Sequence, residues 1–163
     1  MERTELRQRV LHIVVGLTLM ACGSDVQCED VADIAPTLEL GSEDPFEALG
    51  DRTRLEYGPQ GGQHIYGSLR ATGIVGRETY GRPEELPRVS FMVSSDDVAF
   101  LGGVQLLPDV MTVNADMSVE WTSLLPIDDD NPEGLEVQID AEIVDFCGTR
   151  VAASGSTVLT FTP

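Results

Sequence analysis

The chain has 163 residues, with 28 acidic and 10 basic side chains and a formal net charge of −18. That balance argues against nucleic acid, whose binding needs a basic face, and against electrostatic docking on anionic lipid. Every basic residue is arginine, so no lysine is present to act as a nucleophile or form a Schiff base.

The first element is an apolar run over residues 10–20, interrupted by His12 and Thr18. As a helix it would be about 16 Å long at ~1.5 Å per residue, half of a bilayer's hydrocarbon core, and too short to remain as a span. Arg3, Arg7 and Arg9 precede it against Glu2 and Glu5, and Ala21 follows it. A charged start, a short apolar helix and a small residue at the cut make a secretory signal over residues 1–21. The bland alternative is a buried N-terminal helix or strand.

Leu19-Met20-Ala21-Cys22 resembles the lipobox of bacterial lipoproteins, with a leucine three positions before the cysteine and a small residue just before it. The resemblance covers residues 1–24, and Met20 is bulkier than the family's usual residue. It implies that the Cys22 thiol receives a diacylglyceryl group, that the chain is cut before Cys22, and that the new amine is acylated. Two or more acyl chains make a stable anchor. The expectation is an outer-membrane lipoprotein of the bacterial cell envelope, facing the periplasm or the cell surface, although Gly23 and Ser24 fit either envelope membrane. Removing residues 1–21 takes away three arginines and two glutamates, leaving 7 basic against 26 acidic residues, net −19. The remaining 142 residues suit one domain with a full core.

With Cys22 capped, Cys28 and Cys147 remain, and two thiols in an oxidising envelope are expected to pair. The alternative is two unpaired cysteines. Residues 22–36 are short, polar and acidic, and read as a tether leading to a domain over 37–163.

Within that domain Leu38 and Leu40 alternate in a first strand, followed by a loop with Pro45 and a packed Phe46. Leu55 and Tyr57 alternate with charges. Residues 64–75 read as a longer strand rich in β-branched and aromatic residues. Gly and Pro mark a loop near residues 76–87. Residues 88–95 and 98–107 are two apolar runs, with a bulge suggested at Gly102-Gly103. Residues 111–125 fit two strands about Asn114-Ala115-Asp116, or one helical turn. Val137, Ile139, Ala141 and Ile143 alternate with Glu136, Gln138, Asp140 and Glu142, which means a half-buried antiparallel strand. Val158, Leu159 and Phe161 close the chain. Short strands with turns between them and no sustained helical period indicate an all-β fold. A single immunoglobulin-like β-sandwich is the first expectation and a small β-barrel the second.

Two loops could carry a site. Gly58, Pro59, Gln60, Gly61 and Gly62 form a tight turn that delivers His64 to the start of a strand, with Arg70 further along it. Residues 38–74 resemble envelope lipoproteins of myxobacterial type, through Leu40, Gly41, Phe46, Leu49, Asp51, the Gly58–Gly62 string, His64, Arg70 and Gly73. The family's Asp-Gly-Asp step is only Leu49-Gly50-Asp51-Arg52 here, and the resemblance implies no activity. His64 is the one histidine after the signal, and a lone histidine builds no zinc site. A structural loop is its first reading, and binding the second.

The other loop places oxygen side chains at positions 1, 3, 5 and 12 of a calcium-type spacing: Asp129, Asn131, Glu133 and Asp140, with Gly134 at position 6. Against it, the exit is a strand rather than a helix, so Asp140 would lie about 20 Å along at ~3.3 Å per residue. An acidic turn between strands is the first reading, and Ca²⁺ the second. No catalytic motif is present: there is no G-x-S-x-G, H-E-x-x-H or phosphate loop. Adjacent carboxylates on a strand point to opposite faces and give no glycosidase pair. The expectation is therefore a non-enzymatic binding or structural module on a lipid anchor, needing no cofactor, with a protein or glycan partner. A Ca²⁺-dependent adhesion or carbohydrate-binding module is the alternative.

Overall fold

The computed structural model describes residues 27–58, 61–76, 86–96, 101–106 and 111–161. The signal run, Cys22, Pro59 and Gln60 lie outside the described residues. Among the described residues one short helix, α1 (Cys28–Val31), precedes ten strands. These are β1 (Thr37–Gly41), β2 (Arg52–Arg54), β3 (Glu56–Tyr57), β4 (Gln63–Thr72), β5 (Arg88–Ser94), β6 (Gly102–Leu106), β7 (Thr112–Val113), β8 (Val119–Ile127), β9 (Glu136–Val144) and β10 (Arg150–Thr160).

They form two sheets. The first runs β1-β4-β8-β7, with β3 also on β4, and the second runs β2-β10-β9-β5-β6. All pairings are antiparallel except β2, which lies parallel to β10. This is the immunoglobulin order, A-B-E-D facing G-F-C-C′, and neither sheet closes into a barrel. The hallmark side chains differ. Trp121 stands on the E-equivalent β8, and the disulfide does not join the B and F strands.

The period of two decides which residues meet between the sheets. From β9, Val137, Ile139, Ala141 and Ile143 are all buried, and they face Ile65, Leu69 and Ala71 of β4 and Leu125 of β8 in one cluster. Each fully buried Val, Leu or Ile contributes about 1.5–3 kcal/mol. Trp121 packs on Phe91 at 6.1 Å between ring centroids and joins the same core from its margin.

The expected disulfide is present, and the readings of the tether and of Tyr57 change. Cys28 and Cys147 form a disulfide with a Cα–Cα distance of 5.9 Å, closing a separation of 119 residues. In the chain-entropy model that constraint is worth about 4–5 kcal/mol. Residues 28–36, expected as tether, are part of the fold: Val31 is buried against Val75, with Ile34, Met117, Phe146 and Cys147 around them. The physical reason is that the bridge holds α1 against the turn after β9, where an apolar side chain finds a partner. Tyr57, expected to alternate inward with Leu55, is 65% exposed, whereas Leu55 is buried. The chain leaves β2 at Arg54, so the alternation is broken, and Tyr57 stacks on Phe161 at the end of the sandwich at 4.9 Å.

The Gly102-Gly103 step is not a bulge. Gly102 and Gly103 pair in register with Val93 and Met92. Gly102 is required by a crossing instead: a Cβ there would run into the Pro126 carbonyl of the other sheet, and next to it the Asp128 amide donates to the Leu101 carbonyl at 2.7 Å. Gly102→Ala is therefore expected to cost several kcal/mol or to abolish folding, because backbone rather than a mobile side chain must give way. Gly62→Ala, facing open space, is expected to stay within about 1 kcal/mol of wild type. Urea unfolding of the two variants checks this, and equal losses would contradict the crossing.

Candidate functional site

The outward residues of β4 are His64, Tyr66, Ser68, Arg70 and Thr72, opposite Pro126, Leu124, Thr122 and Glu120 of β8 for the first four. This register brings Arg70 directly beside Glu120, with Glu39 of β1 on its other side. Arg70 Nε donates to Glu120 Oε1 at 2.8 Å, and its Nη2 lies 2.7 Å from the same oxygen. Asn114 Nδ2 donates to that oxygen as well, at 3.1 Å, and to Ser118 Oγ at 3.0 Å. The Arg70 guanidinium lies 4.3 Å from the centroid of the Phe46 ring. At a partly exposed site such a cation–π contact contributes about 0.5–1 kcal/mol.

Phe46 belongs to the loop after β1, which folds back over the outer face of the first sheet. The Ser42 amide donates to the Glu47 carbonyl at 3.0 Å and the Leu49 amide to the Leu40 carbonyl at 2.8 Å, and Gly41 bridges Ala48. The loop roofs Gly41 and its neighbour Ser68, whose fully buried hydroxyl has no partner among the described residues. Between this loop and the β7–β8 face lies a cavity of about 410 Å³, lined by Asp44, Pro45, Phe46, Thr112, Glu120, Trp121 and Thr122.

The turn before β8 fixes Asn114 in place. The Ser118 amide and hydroxyl both donate to Asp116 Oδ1, at 3.0 and 2.7 Å, and Met117 takes a positive φ of 64° to close the turn. Ser118's hydroxyl, then its amide, hold the Asp116 carboxyl below the usual aspartate range.

β3 and β4 pair antiparallel, and the described glycines between them bond to one another. The Gly58 amide donates to the Gly62 carbonyl at 2.8 Å and the Gly61 amide to the Gly58 carbonyl at 2.9 Å. Gly61 supplies the left-handed residue at φ 84°, which a β-carbon would strain. His64 lies with Nε2 3.9 Å from Glu56 and edge-on to Tyr66 at 6.2 Å. His64 and Arg70 share a face but stand six residues apart, about 20 Å along the strand. They are not one site, and the cavity belongs to the Arg70 end.

The four calcium candidates do not converge. Asp129 accepts from the Asn131 amide at 2.7 Å, an Asx turn. Glu133 turns to the Phe161 amide at 2.6 Å and to the Thr160 hydroxyl at 3.3 Å. Asp140 stands on the outer face of the second sheet and accepts from the Ser154 hydroxyl. Among the described residues no three His, Cys, Asp or Glu side chains are grouped to hold a metal ion. The spacing fits a calcium loop, but the strand exit carries Asp140 away from it.

Two of the other hollows among the described residues are of similar or larger volume. One of about 680 Å³ on the outer face of the second sheet is lined by Ser90, Met92, Asp140, Glu142, Ala152 and Ser154 among others, and its acids are committed, Asp140 to Ser154 and Glu142 to Arg150 at 2.8 Å. The other, about 420 Å³, lies beside the Tyr57–Phe161 stack, with Arg54 and Glu56.

Sequence reasoning singled out Arg70 and noted Phe46, but missed Glu120, Thr112 and Thr122. Their alternation with Val119 and Trp121 marks an outward face, yet only the register shows that this face meets Arg70. Comparison with family models, with curated proteins and with solved structures finds no match for this chain.

Ser118→Ala removes the hydroxyl that lowers the Asp116 pKa, so that pKa is expected to rise toward the ordinary value. A group with a depressed folded pKa adds stability that is present above its unfolded pKa and lost as pH falls through the folded one. Stability of the wild type at neutral pH therefore includes this contribution, and acidification below the ordinary carboxylate range removes it. NMR titration of the Asp116 carboxyl in both proteins checks the shift, and identical midpoints would contradict it.

Proposed function

We propose that this chain is a lipid-anchored cell-envelope protein whose sandwich is a non-enzymatic binding module. The observation that supports it best is the Cys28–Cys147 disulfide, because structural disulfides persist in oxidising compartments outside the cytosol. It agrees with the secretory pattern of residues 1–21. It also leaves Cys22, directly after Leu19-Met20-Ala21, as the one cysteine outside the bridge.

The bridge gives the anchor a geometry. From Cys22 to Cys28 is six residue steps, a reach of at most about 22 Å at ~3.6 Å per residue. The end of the sandwich carrying α1 and the turn after β9 is then held near the bilayer, and the end where β4 begins at Gln63 faces away from it. Anchoring runs through acyl chains, since the acidic chain gains nothing from anionic headgroups.

Binding rather than turnover is supported by the state of three carboxylates at the hollows. Glu142 is paired with Arg150, Asp140 with Ser154 and Glu120 with Arg70 and Asn114. A general acid or base needs a pKa tuned toward the working pH and a free path to a substrate proton, and these groups are held as hydrogen-bond acceptors.

Cys22→Ala is expected to abolish the acyl mass increment and to move the protein from the membrane fraction to the soluble fraction. Intact-mass analysis and fractionation of the chain expressed in a bacterium with lipoprotein processing check this. An unacylated wild-type protein, or a variant that stays with the membrane, would sink the reading.

A further inference from the structure

The geometry points to the cavity between Phe46 and the β7–β8 face as a subsite for one neutral saccharide ring of a glycan. This rests on the binding-module reading and names its ligand class.

The lining sets the chemistry by exclusion. Asp44 and Glu120 carry negative charge, which disfavours an anion. The guanidinium of Arg70 covers one face of the Phe46 ring, which disfavours a second cation there and leaves the rest of the half-buried ring to a ligand. Two carboxylates and two threonine hydroxyls disfavour a purely apolar ligand, whose burial would strip them of water. What remains is a neutral molecule with an apolar face and many hydroxyls. A pyranose has that form: its C–H face packs on an aromatic ring and its hydroxyls serve carboxylates and threonines.

The polar groups are available for this. Thr112, Glu120 and Thr122 stand on one outward face by register. Among the described residues the hydroxyls of Thr112 and Thr122 take part in no protein hydrogen bond, and the hydrogen bonds to Glu120 all fall on Oε1. Oε2 is left as an acceptor for a ligand hydroxyl. The site is also held in shape before binding. Asn114 and Arg70 fix Glu120, and Arg70 fixes Phe46, so little side-chain freedom is lost when a ligand enters. At about 410 Å³ the cavity falls within the usual range for small-ligand sites, roughly 300–1,000 Å³.

The Trp121 ring packs inward on Phe91, so binding on the outer face is read from the amides of Glu120 and Thr122, which line the cavity. The test is an NMR shift titration of the full chain in detergent with neutral oligosaccharides: cello-, malto-, xylo- and chito-oligomers. The expected result is a saturable change with at least one of them, with affinity weakened about tenfold or more by Phe46→Ala and by Thr122→Val. Thr122→Val leaves the Arg70–Phe46 contact intact, and a matching thermal melt shows that the loss is not one of folding. The absence of a saturable change with every sugar, confirmed by calorimetry, would overturn the proposal. So would saturation by tetramethylammonium in place of sugars, which would make the cavity a cation cage. Sugar binding unaffected by both variants would move the ligand elsewhere, overturning this site while leaving the binding-module reading in place.

Discussion

Arg70 is the residue on which the face carrying the candidate site depends. Its guanidinium is shared between the Glu120 carboxylate and the Phe46 ring, and so joins three parts of the chain distant in sequence. A surface ion pair in isolation is worth about 0–1 kcal/mol. Here the pair also carries Asn114 on the same oxygen and a ring on the other side, so its consequence is positional. Without it the loop after β1 would keep its backbone bonds at Ser42 and Leu49 and the packing of Leu49 on the core, but lose the tie at Phe46. The cavity wall, and the roof over the unpartnered Ser68 hydroxyl, would lose their fastening.

Much of the scaffold is readable from periodicity. The alternation in β9 identifies its inward set without ambiguity, because a half-buried strand repeats every two residues and the four apolar positions are uninterrupted. The disulfide is readable from cysteine arithmetic. Tyr57 is not: its alternation with Leu55 is genuine in the sequence, but the chain leaves β2 before reaching it. The extent of the tether is not readable either, since Val31 is buried only because Val75 arrives beside it from the end of β4. Gly102 looks like a bulge because glycine pairs in strands often mark one. Its reason is the carbonyl of Pro126, which approaches from the opposite sheet.

The candidate site was legible only in part, for a related reason. Arg70 and Phe46 stand out as a cation on a strand and an aromatic in a loop. Glu120, Thr112 and Thr122 look like the ordinary polar face of an ordinary strand. A site on a sheet face is assembled by register, and register is a relation between strands that no single stretch of sequence contains. The calcium-type loop shows the converse. There the spacing is suggestive within one stretch, but the backbone path separates the oxygens, Glu133 toward β10 and Asp140 onto the outer face.

The most direct test of this account is amide hydrogen exchange in Arg70→Ala. If the guanidinium fastens the loop, the Ser42 and Leu49 amides exchange about tenfold faster or more, a loss of roughly 1.4 kcal/mol of local stability, while the core amides of Ile139 and Ile143 keep their protection. Unchanged exchange at Ser42 and Leu49 would show that the loop holds itself, and would contradict the role given to Arg70.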